Sequence, residues 1–97
     1  MLSTQVCIRI NGYTIDRYKR LAPNRAMGST LRDVLDTVAD SDAIFLVPHE
    51  RSDTTYTIPC SAEQSQRWRE AAHDRHMAIG PWIRGALALG LKVLEGP

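Results

Sequence analysis

Two short segments of this 97-residue chain place polar side chains at every second position. Apolar residues lie between them, which is the period of a strand with one buried and one exposed face. Guanidinium, amide and hydroxyl groups in such a row can hydrogen-bond base edges, because a two-stranded ribbon fits the major groove of B-DNA. The candidate base-contacting residues are Gln5, Cys7, Arg9, Thr55 and Thr57.

The two segments belong to a weak internal repeat. The offset is 50 residues as far as Met27 and Met77, and it becomes 52 after two extra residues in the second copy. Matched positions include Ile8 and Ile58, Arg17 and Arg67, Ala22 and Ala72, Arg25 and Arg75, Met27 and Met77, and Leu31-Arg32 and Ile83-Arg84. Each copy reads as one strand and two amphipathic helices.

A lone strand with two short helices cannot bury its apolar face, so the two copies are expected to share one sheet and one core. If the strands pair antiparallel with repeat-related positions symmetric about the centre, the partners follow. The predicted pairs are Gln5 with Pro59, Cys7 with Thr57, and Arg9 with Thr55. The two strands carry different outward side chains, so a DNA site would be an imperfect palindrome.

Helix boundaries are predicted from capping residues. Asn11 predicts the start of the first helix and Ser29 the start of the second. Ser61 and Gln64 form a capping-box pattern, and Gly80-Pro81 predicts the start of the last helix with proline in its first position. The apolar stripes predicted to face inward are Leu31, Val34, Leu35, Val38 and Ala39, and Ile83, Ala86, Leu87, Gly90, Leu91 and Leu94, with Trp68 and Trp82 also in the core.

The segment 40–54 connects the two copies and contains the apolar run 43–47. Two interpretations of this run remain open. The run forms an extra strand paired with 54–59, or it lies against the helices.

Composition excludes several classes of protein. Net charge is +1, so binding of polyanions by bulk charge alone is excluded, although residues 1–30 carry five basic and one acidic side chain. The apolar run 43–47 is the longest, far short of a membrane span, and no signal peptide is visible, so we expect a cytoplasmic protein without membrane contact. Cys7 and Cys60 make no disulfide framework, and His73 and His76 lack further ligands for a metal.

Several segments resemble ribbon-helix-helix DNA-binding proteins of the Arc, MetJ and CopG type. Residues 55–63 are similar to the family's strand and helix cap, the run Trp82-Ile83-Arg84-Gly85-Ala86-Leu87 to its second helix, and residues 5–9 to its DNA-reading strand. Most members have one unit per chain and pair as homodimers. This chain resembles the rarer tandem form, in which one chain mimics the dimer. It departs from the family's pattern at Pro59, a position that is often basic in the family, and at Ala26 and His76, which replace the usual turn glycine.

The resemblance implies a mainly helical α+β fold within 1–97, with one unit over 4–39, a connector over 40–54 and a second unit over 55–95. It implies sequence-specific binding of double-stranded DNA, without catalysis, cofactor or metal, and a role as a transcriptional regulator. Alternatives are an accessory protein of a conjugative relaxosome or plasmid system, and an interaction module such as an antitoxin-like partner. Further copies on adjacent DNA sites are also expected.

Helix N-termini beside the ribbon would hold phosphates, because their backbone N–H groups are free and carry the positive end of the helix dipole. The predicted phosphate contacts are Ser29, Thr30 and Gly80 at these N-termini, with Arg25, Arg75 and Lys19 nearby.

Overall fold

The computed structural model describes residues 2–43 and 45–96. Its elements, in chain order, are β1 (Thr4–Ile10), α1 (Gly12–Leu21), α2 (Met27–Ala39), β2 (Thr54–Cys60), α3 (Ala62–Asp74) and α4 (Ile79–Leu94). Within these residues the four helices and the single two-stranded antiparallel sheet make a mainly helical α+β fold, which confirms the predicted class.

The sheet has the predicted register. Gln5 lies opposite Pro59, Cys7 opposite Thr57, and Arg9 opposite Thr55. The intervening side chains point into the core, because alternate residues of a strand face opposite sides. Val6, Ile8, Ile10, Ile58 and Cys60 are buried and Tyr56 is half-buried.

The two helices that follow the strands begin at side-chain caps, as predicted. The Asn11 side chain accepts a hydrogen bond from the Tyr13 N–H at the start of α1. Ser61 and Gln64 form a reciprocal capping box at the start of α3. These caps turn the chain sharply from each strand into the helix beneath it.

The predicted starts of α2 and α4 were wrong by two or three residues. Their N-caps are Ala26 and Ala78, neither of which offers a side-chain acceptor. Ser29 is instead the third residue of α2, and its hydroxyl accepts a hydrogen bond from Arg32 (3.1 Å). Pro81 is the third residue of α4. At this position no helix carbonyl is available as an acceptor, so the missing N–H of proline costs no hydrogen bond.

The core joins each first helix to the other copy's second helix. The Tyr18 hydroxyl of α1 donates to the Leu87 carbonyl of α4. The Trp68 indole N–H of α3 donates to the Asp36 carboxylate of α2 (2.9 Å). Trp82 is fully buried, as predicted for both tryptophans, whereas Leu94 is 54% exposed and does not belong to the predicted inner stripe. The two copies therefore interlock and share one core.

The turn between α3 and α4 uses a residue in the left-handed region. His76 has φ of 56°, and the following Met77 N–H donates to the Ala72 carbonyl (2.9 Å). When a helix ends with this geometry, the left-handed residue is usually glycine, because a side chain is disfavoured in that conformation. His76 therefore adopts a backbone conformation that glycine usually takes at the end of a helix.

Within its described residues, the connector packs on α4 through Phe45 and forms no strand with β2. Residues 45–53 have no regular secondary structure, and in the described chain β2 pairs with β1 alone. The Phe45 ring packs directly on Gly85 of α4, and Arg75 holds the start of the connector by donating to the Ser41 carbonyl (2.7 Å). Ile44, within the predicted apolar run, lies outside the described residues.

The contact of Phe45 with Gly85 leaves no room for a methyl group on the helix. We expect Gly85→Ala to lower the free energy of unfolding by about 1–3 kcal/mol, because the ring must move. Urea denaturation measures the change. In the Phe45→Ala background the same substitution should become neutral or stabilising, since alanine is favoured over glycine by about 1 kcal/mol inside a helix. Equal effects of Gly85→Ala in both backgrounds would show that Phe45 does not cover this glycine.

Candidate nucleic-acid interface

The outer face of the ribbon displays the predicted base-contacting side chains together. Gln5, Cys7, Arg9, Thr55 and Thr57 are all exposed, and with Pro59 they form three cross-strand pairs along one surface. At the centre, the Thr57 hydroxyl lies 3.7 Å from the Cys7 sulfur. The surface therefore offers an amide, a guanidinium and two hydroxyls, the groups that bind base edges.

Arg9 is held in place by the strand opposite and by the connector. Its guanidinium donates to the Thr55 hydroxyl (3.3 Å) and to the Ser52 carbonyl (2.9 Å). Arg9 is exposed, and these two bonds use only part of the five N–H donors of a guanidinium. The connector thus supports the one charged side chain of the outer face.

The end of the connector is tied to the corner between β1 and α1. The Asn11 amide donates to the Arg51 carbonyl (3.0 Å). The Gly12 N–H donates to the Asp53 carboxylate (2.9 Å), and the Thr54 hydroxyl donates to it as well (3.0 Å). These hydrogen bonds favour the ionised carboxylate and lower the pKa of Asp53, the Gly12 N–H having the largest effect. Arg51 and Asp53, together with Ser52, which accepts from Arg9, therefore position the strand end that carries Arg9.

The N-termini of α2 and α4 lie beside the ribbon. A Cβ atom added at Gly28 would be 3.5 Å from the Pro59 ring, which places the start of α2 against the outer end of β2. At the other end, Arg84 of α4 lies 3.5 Å from the Arg9 carbonyl oxygen. Both helices have alanine N-caps, whereas α1 and α3 have side-chain caps. The N–H groups flanking the ribbon are thus left without a side-chain acceptor.

Two arginines beside the ribbon were missed in the sequence. Arg32 of α2 donates to the Pro59 carbonyl (2.9 Å), and Arg84 of α4 approaches the Arg9 carbonyl. Pro59 and Arg9 are repeat-related positions, as are the two arginines at an offset of 52. The repeat could have identified them, because an arginine at the same position in both copies is expected to contact equivalent points of the ribbon.

The predicted phosphate contacts have different placements. Ser29 and Gly80 lie in the first turns of α2 and α4 and are half-buried. Thr30 is buried, and its N–H donates to the Ala26 carbonyl (3.3 Å). The backbone N–H groups of α2 that have no helix carbonyl as acceptor are therefore those that precede Thr30.

The three predicted basic neighbours differ in their contacts. Arg25 forms an ion pair with Asp33 (2.6 Å). Arg75 donates to the carbonyls of Ala71 and Ser41, at the end of α3 and beyond the end of α2. Lys19 is exposed in the last turn of α1.

Within residues 2–43 and 45–96, no group of three or more potential ligands is placed to hold a metal ion. No single helix of the described chain is long and apolar enough to cross a membrane, and α3 and α4 reach that length and apolar character only as a pair bent by 92°. No protein-family model, curated protein or solved structure matches this chain.

The Asp53 carboxylate predicts an acid-dependent loss of stability. Its pKa is lowered on folding, so its contribution is present above the unfolded value of about 4 and is lost as pH falls through the folded value. Asp53→Asn keeps an acceptor for the Gly12 N–H but does not titrate. We expect the melting temperatures of the two proteins to converge as pH is lowered from 5 to about 2.5.

Circular dichroism melts at each pH provide the measurement. Glu95, whose pKa is lowered by its ion pair with Arg17, titrates in both proteins and does not affect the difference. A constant gap between the two melting curves across this range would contradict the assignment.

Proposed function

We propose that this chain is a sequence-specific double-stranded DNA-binding protein of tandem ribbon-helix-helix architecture. The observation that carries the proposal is the outer face of the β1–β2 ribbon, with its exposed hydrogen-bonding side chains in register and an uncapped helix N-terminus at each end. A two-stranded ribbon of this kind enters the major groove, where every base pair presents a distinct pattern of donors and acceptors. One chain would supply both halves of the reading surface.

Base recognition is assigned to unlike side chains on the two strands. Arg9 can donate two hydrogen bonds to guanine, and Gln5 can make a bidentate contact with adenine. Thr55 and Thr57 can donate, accept or contact a thymine methyl group, and Cys7 lies at the centre between the half-sites. Pro59, opposite Gln5, offers no hydrogen-bond donor, so the two half-sites would be read differently.

Phosphate contacts are assigned to the groups beside the ribbon. The free N–H groups around Gly28, Ser29 and Gly80 would each face a phosphate at the positive end of a helix dipole. Arg32 and Arg84 add one positive charge at each flank. These contacts would set the position of the protein on the duplex while the ribbon selects the sequence.

The biological role we propose is transcriptional repression in the cytoplasm, without catalysis. A protein seated in the major groove of a promoter excludes other proteins from the same base pairs. Few positive charges face the DNA, so binding should be modest on unrelated sequences and sensitive to salt. Selection from a random duplex library with the purified chain tests the proposal, and we expect enrichment of one asymmetric motif. Recovery of no motif would contradict it.

Arg9 provides the sharpest mutational test. We expect Arg9→Ala to weaken binding to the selected duplex by about 1–3 kcal/mol and to relax the base preference at one position, because a bidentate guanine contact is lost. Titration of wild-type and variant proteins against duplexes changed at each position measures both effects.

Arg20→Ala is the matched control. It removes the same charge from α1, where the guanidinium lies over the Tyr13 ring. Equal losses of DNA affinity in both variants, with base preference unchanged, would show that Arg9 contributes only through its positive charge.

The flanking arginines should act differently from Arg9. Arg32→Gln and Arg84→Gln retain a donor toward the strand but remove the charge. We expect each to weaken binding to all duplexes alike and to reduce the slope of log K against log salt by about 1, as for loss of one phosphate contact. Binding measured between 50 and 200 mM salt gives the slope. An unchanged slope combined with an altered base preference would place these arginines at base edges instead.

A further inference from the structure

The two ends of the ribbon are held differently, although the repeat makes them equivalent positions. At one end, the Arg9 guanidinium donates to the Ser52 carbonyl (2.9 Å) and to the Thr55 hydroxyl (3.3 Å). At the other end, the side chain of Gln5 is exposed and makes no hydrogen bond to another described residue, and its strand partner is Pro59. Only the first end therefore has a base-contacting side chain that is fixed before DNA binds.

The connector is anchored at this end of the ribbon by the start of α1. Asn11 has two roles, because its side-chain oxygen caps α1 while its amide donates to the Arg51 carbonyl (3.0 Å). The Gly12 N–H donates to the Asp53 carboxylate (2.9 Å). Ser52 lies between these two anchored residues, so the carbonyl that accepts from the guanidinium is held from both sides.

The second copy has different residues at these anchors. The offset of 50 residues places Ser61 at the position of Asn11 and Ser3 at the position of Asp53. The Ser61 hydroxyl caps α3 by accepting from the Gln64 N–H, but serine has no amide group that could donate elsewhere at the same time. Serine at position 3 likewise supplies no carboxylate.

Gly12 also belongs to the connector side. A Cβ atom at this position would lie 2.7 Å from the Thr54 hydroxyl oxygen and 3.5 Å from the Asp53 carboxylate, and the first distance is too short for a real contact. Ala62 occupies the matching position of the second copy. Glycine therefore permits the close approach of the residues that lead into β2.

These contacts are not required to form a turn from strand to helix. The corner between β2 and α3 forms with Ser61 and Ala62, and it holds no connector. The three differences between the copies, at Asn11, Gly12 and Asp53, all fall at contacts that hold the connector. Their shared consequence is the position of the carbonyl that accepts from the Arg9 guanidinium.

We propose that connector residues 51–53 determine the DNA specificity of the Arg9 end of the ribbon, with Asn11 and Asp53 as positioning residues that touch no base. The held guanidinium keeps three of its five N–H donors, enough for the O6 and N7 acceptors of guanine. An arginine that is already ordered loses less conformational freedom on binding. A released arginine would also turn toward the acceptors of adenine or thymine.

This inference rests on the proposed function and deepens it, because it states which base is read most strictly. Guanine opposite Arg9 should be the most strongly preferred base of the selected motif. The base opposite the unheld Gln5 should be less strongly preferred.

The test exchanges residues between the copies. Asn11→Ser keeps an N-cap for α1 but removes the amide donor, and Asp53→Ser removes the carboxylate acceptor. The readout is the ratio of affinities for guanine and for the next-best base, at the base pair where Arg9→Ala loses preference. We expect this ratio to fall about threefold or more in each variant, with other base pairs unaffected. The lost charge of Asp53→Ser does not alter the ratio, because bulk charge acts alike on all duplexes.

Ser61→Asn is the matched control. It introduces the first copy's residue at the corner that holds no connector, and asparagine retains an N-cap for α3. Its base preferences should equal those of the wild type. Equal losses of guanine preference in Ser61→Asn and Asn11→Ser would show a general effect of the corners and would overturn the proposal.

A measurement without DNA tests the positioning itself. In ¹⁵N relaxation of the free full chain, we expect the Arg9 Nε–H group to have an order parameter above about 0.6 in the wild type and below it in the double variant Asn11→Ser/Asp53→Ser. The signal is identified by its absence from Arg9→Ala. Circular dichroism checks that each variant is folded, and either single variant is sufficient if the other does not fold.

The proposal is overturned if the Arg9 Nε–H group is equally mobile in the wild type and the double variant. It is also overturned if guanine preference is unchanged in both single variants, if preference falls alike at every base pair, or if the base pair affected by Gln5→Ala is read more strictly than that of Arg9. Failure to select any duplex would contradict the proposed function, whereas the relaxation result, obtained without DNA, decides separately whether the connector orders Arg9.

Discussion

The antiparallel pairing of β1 with β2 is the constraint on which the structure depends. Each strand has only seven residues and one buried face, and an isolated strand of this kind leaves its backbone groups and its apolar side chains without partners. Pairing of the two strands gives partners to the backbone groups and to the apolar side chains at once. It also places each first helix on the other copy's second helix, through Tyr18 and Leu87 on one side and Trp68 and Asp36 on the other. Because both strands belong to one chain, the sheet forms at any protein concentration, whereas a dimer would dissociate on dilution.

Covalent connection also frees the two copies to differ. A homodimer must carry the same residue at both symmetric positions, but a tandem chain can diverge at each pair. The ribbon combines Gln5 with Pro59 and Arg9 with Thr55, and the core combines Thr30 with Trp82 at matching helix positions. The connector adds a further asymmetry, since it packs Phe45 on α4 and supports Arg9 through the Ser52 carbonyl. One scaffold thus provides two unlike ends of the ribbon and two unlike helix faces.

Much of the fold was predictable because its determinants are local or repeated. Alternation of apolar residues identified the strands, and the repeat set the register around Cys7 and Thr57. Asn11 and Ser61 gave the starts of α1 and α3 because their side chains form the caps. The starts of α2 and α4 were misplaced because an alanine N-cap gives no signal in the sequence. In the candidate site, alternation along the strands identified the outward residues.

The remaining features depend on tertiary contacts that no local pattern encodes. The packing of Phe45 against Gly85 joins positions 40 residues apart, and the hydrogen bond from Trp68 to Asp36 requires α3 to pack against α2. Arg32 reaches the ribbon only because α2 of one copy lies against β2 of the other. The anchors of the connector at the start of α1 likewise join positions 40 or 41 residues apart.

The reactivity of Cys7 tests the central claim most directly, because this exposed thiol lies at the centre of the ribbon's outer face. The second thiol, Cys60, is buried, and burial raises its pKa, so it competes little for an alkylating reagent. The measurement is the rate of Cys7 alkylation by iodoacetamide, with and without a saturating amount of the selected duplex. We expect the duplex to slow the reaction at least tenfold, because the ribbon is then seated in the major groove. Alkylation of Cys7 at an unchanged rate in protein that is fully bound to the duplex would contradict the account.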